Sequence, residues 1–335
     1  MIAALRTPSR SLLAVAVCAL LTVFLVACGR SPSASPQAKG SAQGPAQGQA
    51  RRIVVLSPAI AVMLQGLGFE DQIVAKHTWD LALSDSIPAV GDQFELDYEA
   101  LLKINPTHVY TQYESAGVPK RLRELAKQNG WHLEDYRLNT LDDIAGAIDD
   151  LYLDLGGSVQ TDRELRVNGV PVGGTIPEFN DTLPSDRLST AWGDRGPAVR
   201  GAGRVLLLLQ GETPGVLGPG SFHHQILVSL GGTPALETGQ PWMDLDAEDI
   251  LRLAPDAIVI FAPRERTDDE QRWPTTETPD WDDLAKRLGA FADLPIPAIE
   301  NQRVLLVDHP LCLLPSPALA EVAEVMAEQL AEWSE

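Results

Sequence analysis

Six histidines and three cysteines are the residues of this chain best able to hold a metal ion or act as nucleophiles. Their spacing gives none of the usual zinc signatures, since neither C-x-x-C nor H-E-x-x-H occurs. His223 and His224 are adjacent and on a helix would point about 100° apart, so they cannot share a metal. Ser57 and Ser221 each open a predicted helix, but no G-x-S-x-G elbow surrounds either and no histidine stands beside them, which argues against a serine hydrolase. Two carboxylates, Glu99 and Glu248, hold the same place in a segment that occurs twice. The aromatic residues Trp79, Phe94, Tyr113, Phe222 and Trp242 fall where loops would follow or flank strands. Aromatic rings provide flat apolar walls suited to a binding site.

The elements that must carry these residues are legible from the repeat. Residues 96–109 read LDYEALLKINPTHV and residues 245–258 read LDAEDILRLAPDAI, an offset of 149. Asp97 or Asp246 is suited to N-cap a short helix. The helix stops before Pro106 or Pro255 and a β-rich run follows. Counted from the caps, both glutamates fall at N2 rather than at the N3 position of a capping box, so capping does not require them. The helix dipole is the local reason for an acid there. Upstream, a strand at 52–56 leads to a helix ending at Leu67-Gly68, and a strand at 204–209 leads to a helix from Ser221 to Leu230. Downstream, helix 118–129 and strand 131–138 match helix 281–289 and strand 303–307. The expectation is an α/β protein of two Rossmann-like lobes, with parallel sheets flanked by helices and a cleft between the lobes. Ligands in such sheets bind at the carboxyl ends of the strands.

The first residues have another character. Arg6 and Arg10 precede an apolar run at 11–27, and Leu25-Val26-Ala27-Cys28 resembles the bacterial lipobox, in which the cysteine is lipidated after cleavage. The run sits at the short limit for crossing a bilayer. Residues 30–50 are rich in Ser, Pro, Ala, Gly and Gln and read as a flexible tether. The expected organisation is a signal peptide at 1–27, lipidated Cys28 and tether to 50, a first lobe at 51–140, an interdomain helix and irregular linker at 141–202, and a second lobe at 203–335. Cys18 would leave with the signal, so Cys312 stands alone and no intrachain disulfide is expected. The formal charge of −20 becomes about −22 without Arg6 and Arg10. That acidity argues against nucleic acid as a partner and suits a neutral or cationic ligand or a basic docking surface.

The segments RIVVLSP, GFEDQIVA, GDQFELDYEALLKINPTHV, GPGSFHHQILVSLGG, QPWMDLDAEDILRLAPDAIVI and NQRVLLVDHP, in this order, resemble the solute-binding proteins of ABC importers for cobalamin, haem and iron–siderophore complexes. The resemblance covers roughly residues 51–155 and 203–335. It implies a monomeric receptor rather than an enzyme, lipid-anchored outside a bacterial cytoplasmic membrane, with no cofactor and with a metal chelate as its transport ligand. It implies docking on a permease dimer through Glu99 and Glu248. Ligand contacts would come from Trp79, Asp80, Phe94 and Tyr113 on one lobe and Phe222, Trp242, Arg264 and His309 on the other. His309 would be the axial donor, with His77 as its alternative, and His223 a solvated position at a helix start. Only Arg264, Arg266 and Arg137 are placed to hold an anionic complex, which favours a corrinoid over haem and siderophores. The chain departs from the family at GGSVQTDRELRVNGVPVGGTIPEFNDTLP, whose glycines and prolines leave the interdomain helix short or interrupted and the joint less rigid. The alternatives are a free zinc or manganese receptor, and a binding-protein fold recruited as a structural or sensory lipoprotein.

Overall fold

The computed structural model describes residues 50–113, 117–156, 183–211, 215–264 and 279–334, together with a short backbone pair at 166–167 and 170–171. The first lobe runs β1 (Ile53–Leu56), α1 (Pro58–Gly66), β2 (Ile73–Ala75), α2 (Tyr98–Ile104), β3 (His108–Thr111), α3 (Lys120–Asn129) and β4 (His132–Asp135). Its sheet has the order β2-β1-β3-β4 and every pair is parallel. Strands β1 and β2 are short and wholly apolar, as buried parallel strands are, whereas the edge strand β4 reads HLED and has no buried position.

Helix α4 (Leu141–Asp154) leaves this lobe, followed by the antiparallel pair β5 (Arg166–Val167) and β6 (Val170–Pro171) and by α5 (Pro184–Ala191) and α6 (Pro197–Arg200). The second lobe runs β7 (Arg204–Leu209), β8 (Gly215–Leu217), α7 (Phe222–Ser229), β9 (Thr233–Pro234), β10 (Trp242–Asp244), α8 (Ala247–Leu253), β11 (Ala257–Phe261), α9 (Trp281–Leu288), α10 (Pro297–Glu300), β12 (Val304–Val307) and α11 (Leu319–Glu332). Its sheet has the order β10-β8-β7-β11-β12, with β9 on the start of β7. The pairs among β7, β11 and β12 are parallel, while β8 turns back on the end of β7 and carries β10 antiparallel beside it.

The repeated segment folds the same way twice. Asp97 and Asp246 cap α2 and α8 by accepting from backbone N–H groups of the first turn. Both helices end in a left-handed residue, Asn105 at φ 47° and Ala254 at φ 43°, just before a buried proline. The orphan carbonyls at their ends are met alike: Arg52 donates to Ile104 O at 2.8 Å and Arg204 to Leu253 O at 2.7 Å.

Burial is organised in three bodies. An outer core under α2 and α3 holds Leu101, Val109, Leu122 and Trp131, and a second under α8 and α9 holds Ile250, Ile258, Leu284 and Phe291. The third is shared. It runs from Ile53, Val55 and Tyr110 of the first sheet through Ile144, Ile148 and Leu151 of α4 and Leu188 of α5. From there it continues into Leu207, Val259 and Phe261 of the second sheet and Met326 and Leu330 of α11.

The interdomain helix is short, as expected, and the described residues beyond it include two further helices. Helix α4 does end at Asp154, as the glycines require, and 183–202 is not irregular, because α5 and α6 lie there. Ser185 N donates to Asp149 Oδ1 of α4 at 3.1 Å, and its hydroxyl donates to the other carboxylate oxygen. Helix α4 is also tied at both ends. Leu141 N donates to Gln225 Oε1 of α7 at 3.1 Å, and Asp154 accepts from Tyr110 Oη at 2.5 Å and pairs with His132 Nε2 at 3.2 Å. Burial works to raise the Asp154 carboxyl, but the bonds from His132 and Tyr110 outweigh it and hold it below its ordinary range. The bond to Asp154 raises His132, against the effect of burial.

Candidate binding cleft

Two adjoining pockets open where the carboxyl ends of the two sheets meet. The first, of about 660 Å³, is walled by Gln112, Leu138 and Asn139 of one lobe and by Leu217, Phe222, His223 and Pro241 of the other. The second, of about 990 Å³, lies between Glu70 and the 80–85 turn on one side and Arg264, Pro310 and Leu314 on the other. Leu313 borders both. Both volumes fit the range for small-molecule sites.

The residues lining the first pocket are placed by strand ends and helix caps. Ser57 caps α1 by accepting from Ile60 N and donates to Gln112 Oε1 at 2.7 Å, just past β3. Ser221 caps α7 and donates to Gly218 O at 2.9 Å. Neither serine hydroxyl meets a histidine side chain or a carboxylate among the described residues. His223, expected at a solvated position, is buried. Its ring lies 4.3 Å from that of Phe222 and 4.4 Å from that of Phe261, and Nε2 donates to Cys312 O at 2.7 Å. Burial pushes its pKa down to about 4, so the imidazole is neutral and Nε2 carries the proton. Burial likewise pushes the Cys312 thiol up to about 12.

The wall holding Trp242 depends on a glycine. Trp242 pairs with Leu217 across β8 and β10, and its ring lies over Gly215, where an added Cβ would stand 2.8 Å from the indole Cε2. The ring stays 51 % exposed. The second pocket is richer in charge. Asp80 accepts from Ala82 N at 3.0 Å and Leu83 N at 2.7 Å through Oδ1, which shapes the 80–85 turn. Arg264 faces Asp308 at 3.7 Å. Glu70, Asp80 and Asp85 against Arg264 leave this pocket with an acidic lining.

The loop from 76 to 97 forms a rim. Lys76 donates to Leu83 O and Ser84 O, and Gly91 at φ 118° lets the chain double back, since a Cβ there would meet the 95–96 backbone. Asp92 accepts from Phe94 N and Glu95 N through Oδ1. Trp79 is 69 % and Phe94 89 % exposed.

The expected contacts thus divide. Asp80, Phe222 and Arg264 line the pockets, Trp242 flanks one through Pro241 and Leu217, and Trp79 and Phe94 stand on the rim loop. Tyr113 is buried in the outer core of the first lobe, its hydroxyl pushed up to about 12 by burial. His309 is 1 % exposed, with Nδ1 accepting from Leu311 N at 2.9 Å and Nε2 3.6 Å from Glu321. It braces the loop after β12, and a cleft-facing donor there is corrected. His77 is buried too, its Nδ1 accepting from Trp79 N at 3.0 Å. Gln112, Leu138, Asn139, His223 and Leu313 were not expected; the first three follow strand ends, which was a readable signal. Arg266 and Cys28 lie outside the described residues, as do the signal peptide and nearly all of the tether. Among the described residues, no group of three or more His, Cys, Asp or Glu side chains is arranged to hold a bare metal ion, and no helix is long and apolar enough to cross a membrane.

Glu99 and Glu248 sit at N2 of α2 and α8, both exposed. No ion pair or hydrogen bond engages either carboxylate among the described residues. Arg252, one turn beyond Glu248, pairs instead with Asp249 at 2.7 Å.

No protein-family profile and no curated protein matches the sequence. Solved structures do match. The periplasmic heme-binding protein HutB of Vibrio cholerae aligns with a TM-score of 0.57 at 19 % identity, over 85 % of this chain and 98 % of that one. The periplasmic heme-binding protein RhuT from Roseiflexus sp. RS-1 aligns at 0.55 and 19 %, over 86 % and 100 %. The periplasmic vitamin B12 binding protein BtuF of Vibrio cholerae aligns at 0.54 and 17 %, over 85 % and 98 %. At such identities the likeness is one of fold, and it is spread over nearly the whole of each neighbour. Two helix-flanked sheets joined by α4 and α5, with pockets between their carboxyl ends, give this chain the fold of these periplasmic heme- and vitamin B12-binding proteins.

Proposed function

We propose that this chain is a lipid-anchored receptor that binds a metal chelate in the interlobe cleft and delivers it to an ABC permease dimer. The observation that carries the reading is the pair of adjoining pockets between the two sheets, one apolar and one acidic. A chelate with a broad apolar ring system and neutral or cationic substituents matches that pair. The acidic lining opposes the carboxylates of haem and of anionic siderophores, so a corrinoid is the preferred cargo. The heme and vitamin B12 named for the structural neighbours support a chelate of this class. Phe222, Trp242, Asp80 and Arg264 would contact it, with Gln112 and Asn139 as polar partners and Trp79 and Phe94 closing the rim. Tyr113 and His309 are left out of the site because both are buried elsewhere. Glu99 and Glu248 would pair with arginines or lysines of the permease. The lipid on Cys28 and the tether of about twenty residues would raise the local concentration of receptor at the membrane.

Tryptophan quenching tests the cargo. The purified protein is titrated with cyanocobalamin, haemin, ferric siderophores and zinc, and submicromolar saturable quenching by cyanocobalamin is expected. Tighter binding of haemin would overturn the corrinoid preference, and binding of zinc alone would replace the chelate reading with the free-metal one. The anchor is checked by mass spectrometry of the N-terminal peptide, which should begin at an acylated Cys28.

A further inference from the structure

The duplicated helices expose more than a glutamate. Every position from 95 to 111 is as buried, half-buried or exposed as the position 149 residues later. This agreement includes two large apolar side chains left in solvent, Leu102 at 43 % and Leu251 at 39 % exposure. Each lies three residues after its glutamate and so on the same side of a short helix. Inner positions of these helices are filled by Leu101 and Ile250, and the outer leucines belong to neither core. Among the described residues the two carboxylates are equally unengaged, although Lys103 and Arg252 stand one turn away. A Glu-x-x-Leu face that costs solvation twice, in equivalent places, is what a single partner surface used twice would select.

Resting on the docking reading above, we infer that Leu102 and Leu251 are apolar anchors of the permease contact. The permease would present two equivalent recesses, each with a cation at its edge, and so be two-fold symmetric. The cation would take Glu99 or Glu248 and the recess the adjacent leucine. Ion pairs at a rim set the rate and register of encounter, whereas buried side chains set how long the complex lasts. Removing one leucine should therefore raise the dissociation rate about fivefold and removing both about twentyfold, with little change in the association rate.

The full-length chain in cells tests this with a photo-crosslinking benzoylphenylalanine placed singly at 99, 102, 248, 251 and, as a control on another exposed leucine, 153. Adducts are identified by mass spectrometry. Adducts of 102 and 251 with the same polytopic membrane protein as 99 and 248, and none from 153, are expected. Adducts from 99 and 248 alone overturn the leucine anchors and leave the docking reading standing. Adducts from only one of 102 and 251, or with a second copy of this chain, also overturn the inference. No adduct from any of the four positions overturns the docking reading itself. The dissociation rate of the Leu102→Ser, Leu251→Ser double variant from the captured protein then decides the magnitude, and an unchanged rate refutes the anchoring role.

Discussion

Replacing Ile148 by alanine probes whether the two lobes stand or fall together. Ile148 is fully buried in the middle of α4, within the core that both sheets share. Truncating a fully enclosed isoleucine removes its transfer free energy and leaves a cavity, about 3–4 kcal/mol in total. For a folded body of about 290 residues, an unfolding entropy near 2.1 cal/mol/K per residue converts this to a melting shift of about 6 °C. The sharper readout is where stability is lost. Hydrogen exchange of β1 and β3 and of β7 and β11 should accelerate together in Ile148→Ala, by the same free energy, because the slow amides of both sheets open through the same body. Urea unfolding should stay a single transition with an unchanged m value. If only the first sheet lost protection, or a second transition appeared, the shared core would not couple the lobes and the reasoning would fail.

Two further predictions follow from single sites. His108 and His223 are buried, and burial lowers both to about 4. A folded pKa below the unfolded 6.5 gives stability that is complete above about pH 6.5 and lost as pH falls toward 4. Each should therefore cost the wild type about 2 kcal/mol between pH 7.5 and 5.0. Unfolding free energies from urea titrations at the two pH values should differ by that much less in His108→Gln than in the wild type, and an equal loss in both would refute the assignment. Gly215→Ala should overlap the indole of Trp242, cost about 1–3 kcal/mol and shift tryptophan emission. Adding Trp242→Ala should recover most of that loss, and simple additivity of the two substitutions would show that the ring does not rest on Gly215.

The repeated units were legible because their signals are local. An aspartate cap, a buried Leu101 or Ile250, a left-handed terminus and a proline fix α2 and α8 within a dozen residues. The parallel sheets followed from the alternation of apolar runs with such helices. The shared core was not legible, because it depends on partners far apart in sequence. Glycines after Leu155 marked the end of α4 correctly but said nothing of α5 returning to pack on it. Helix α11 was not anticipated, although Leu319, Val322, Ala323, Met326 and Leu330, all buried, recur at helical spacing. The edge strands β8 and β10 have three residues each, too few for any alternation to register. Position after a strand end picked out Asp80 and Arg264, which line a pocket, but also Tyr113 and His309, which are buried. Whether a side chain there turns toward the cleft or beneath it is decided by the next loop, as when Leu311 N reaches back to His309 Nδ1.

Leu313 stands as a common wall between an apolar chamber and an acidic one. A guest filling both would experience two solvents a side chain apart, and turning it end for end would exchange every favourable transfer for an unfavourable one. For such a guest the wall would act as a polariser. Even a loosely held guest would be stored with one heading, and whatever receives it at the mouth of the cleft would always meet the same end first.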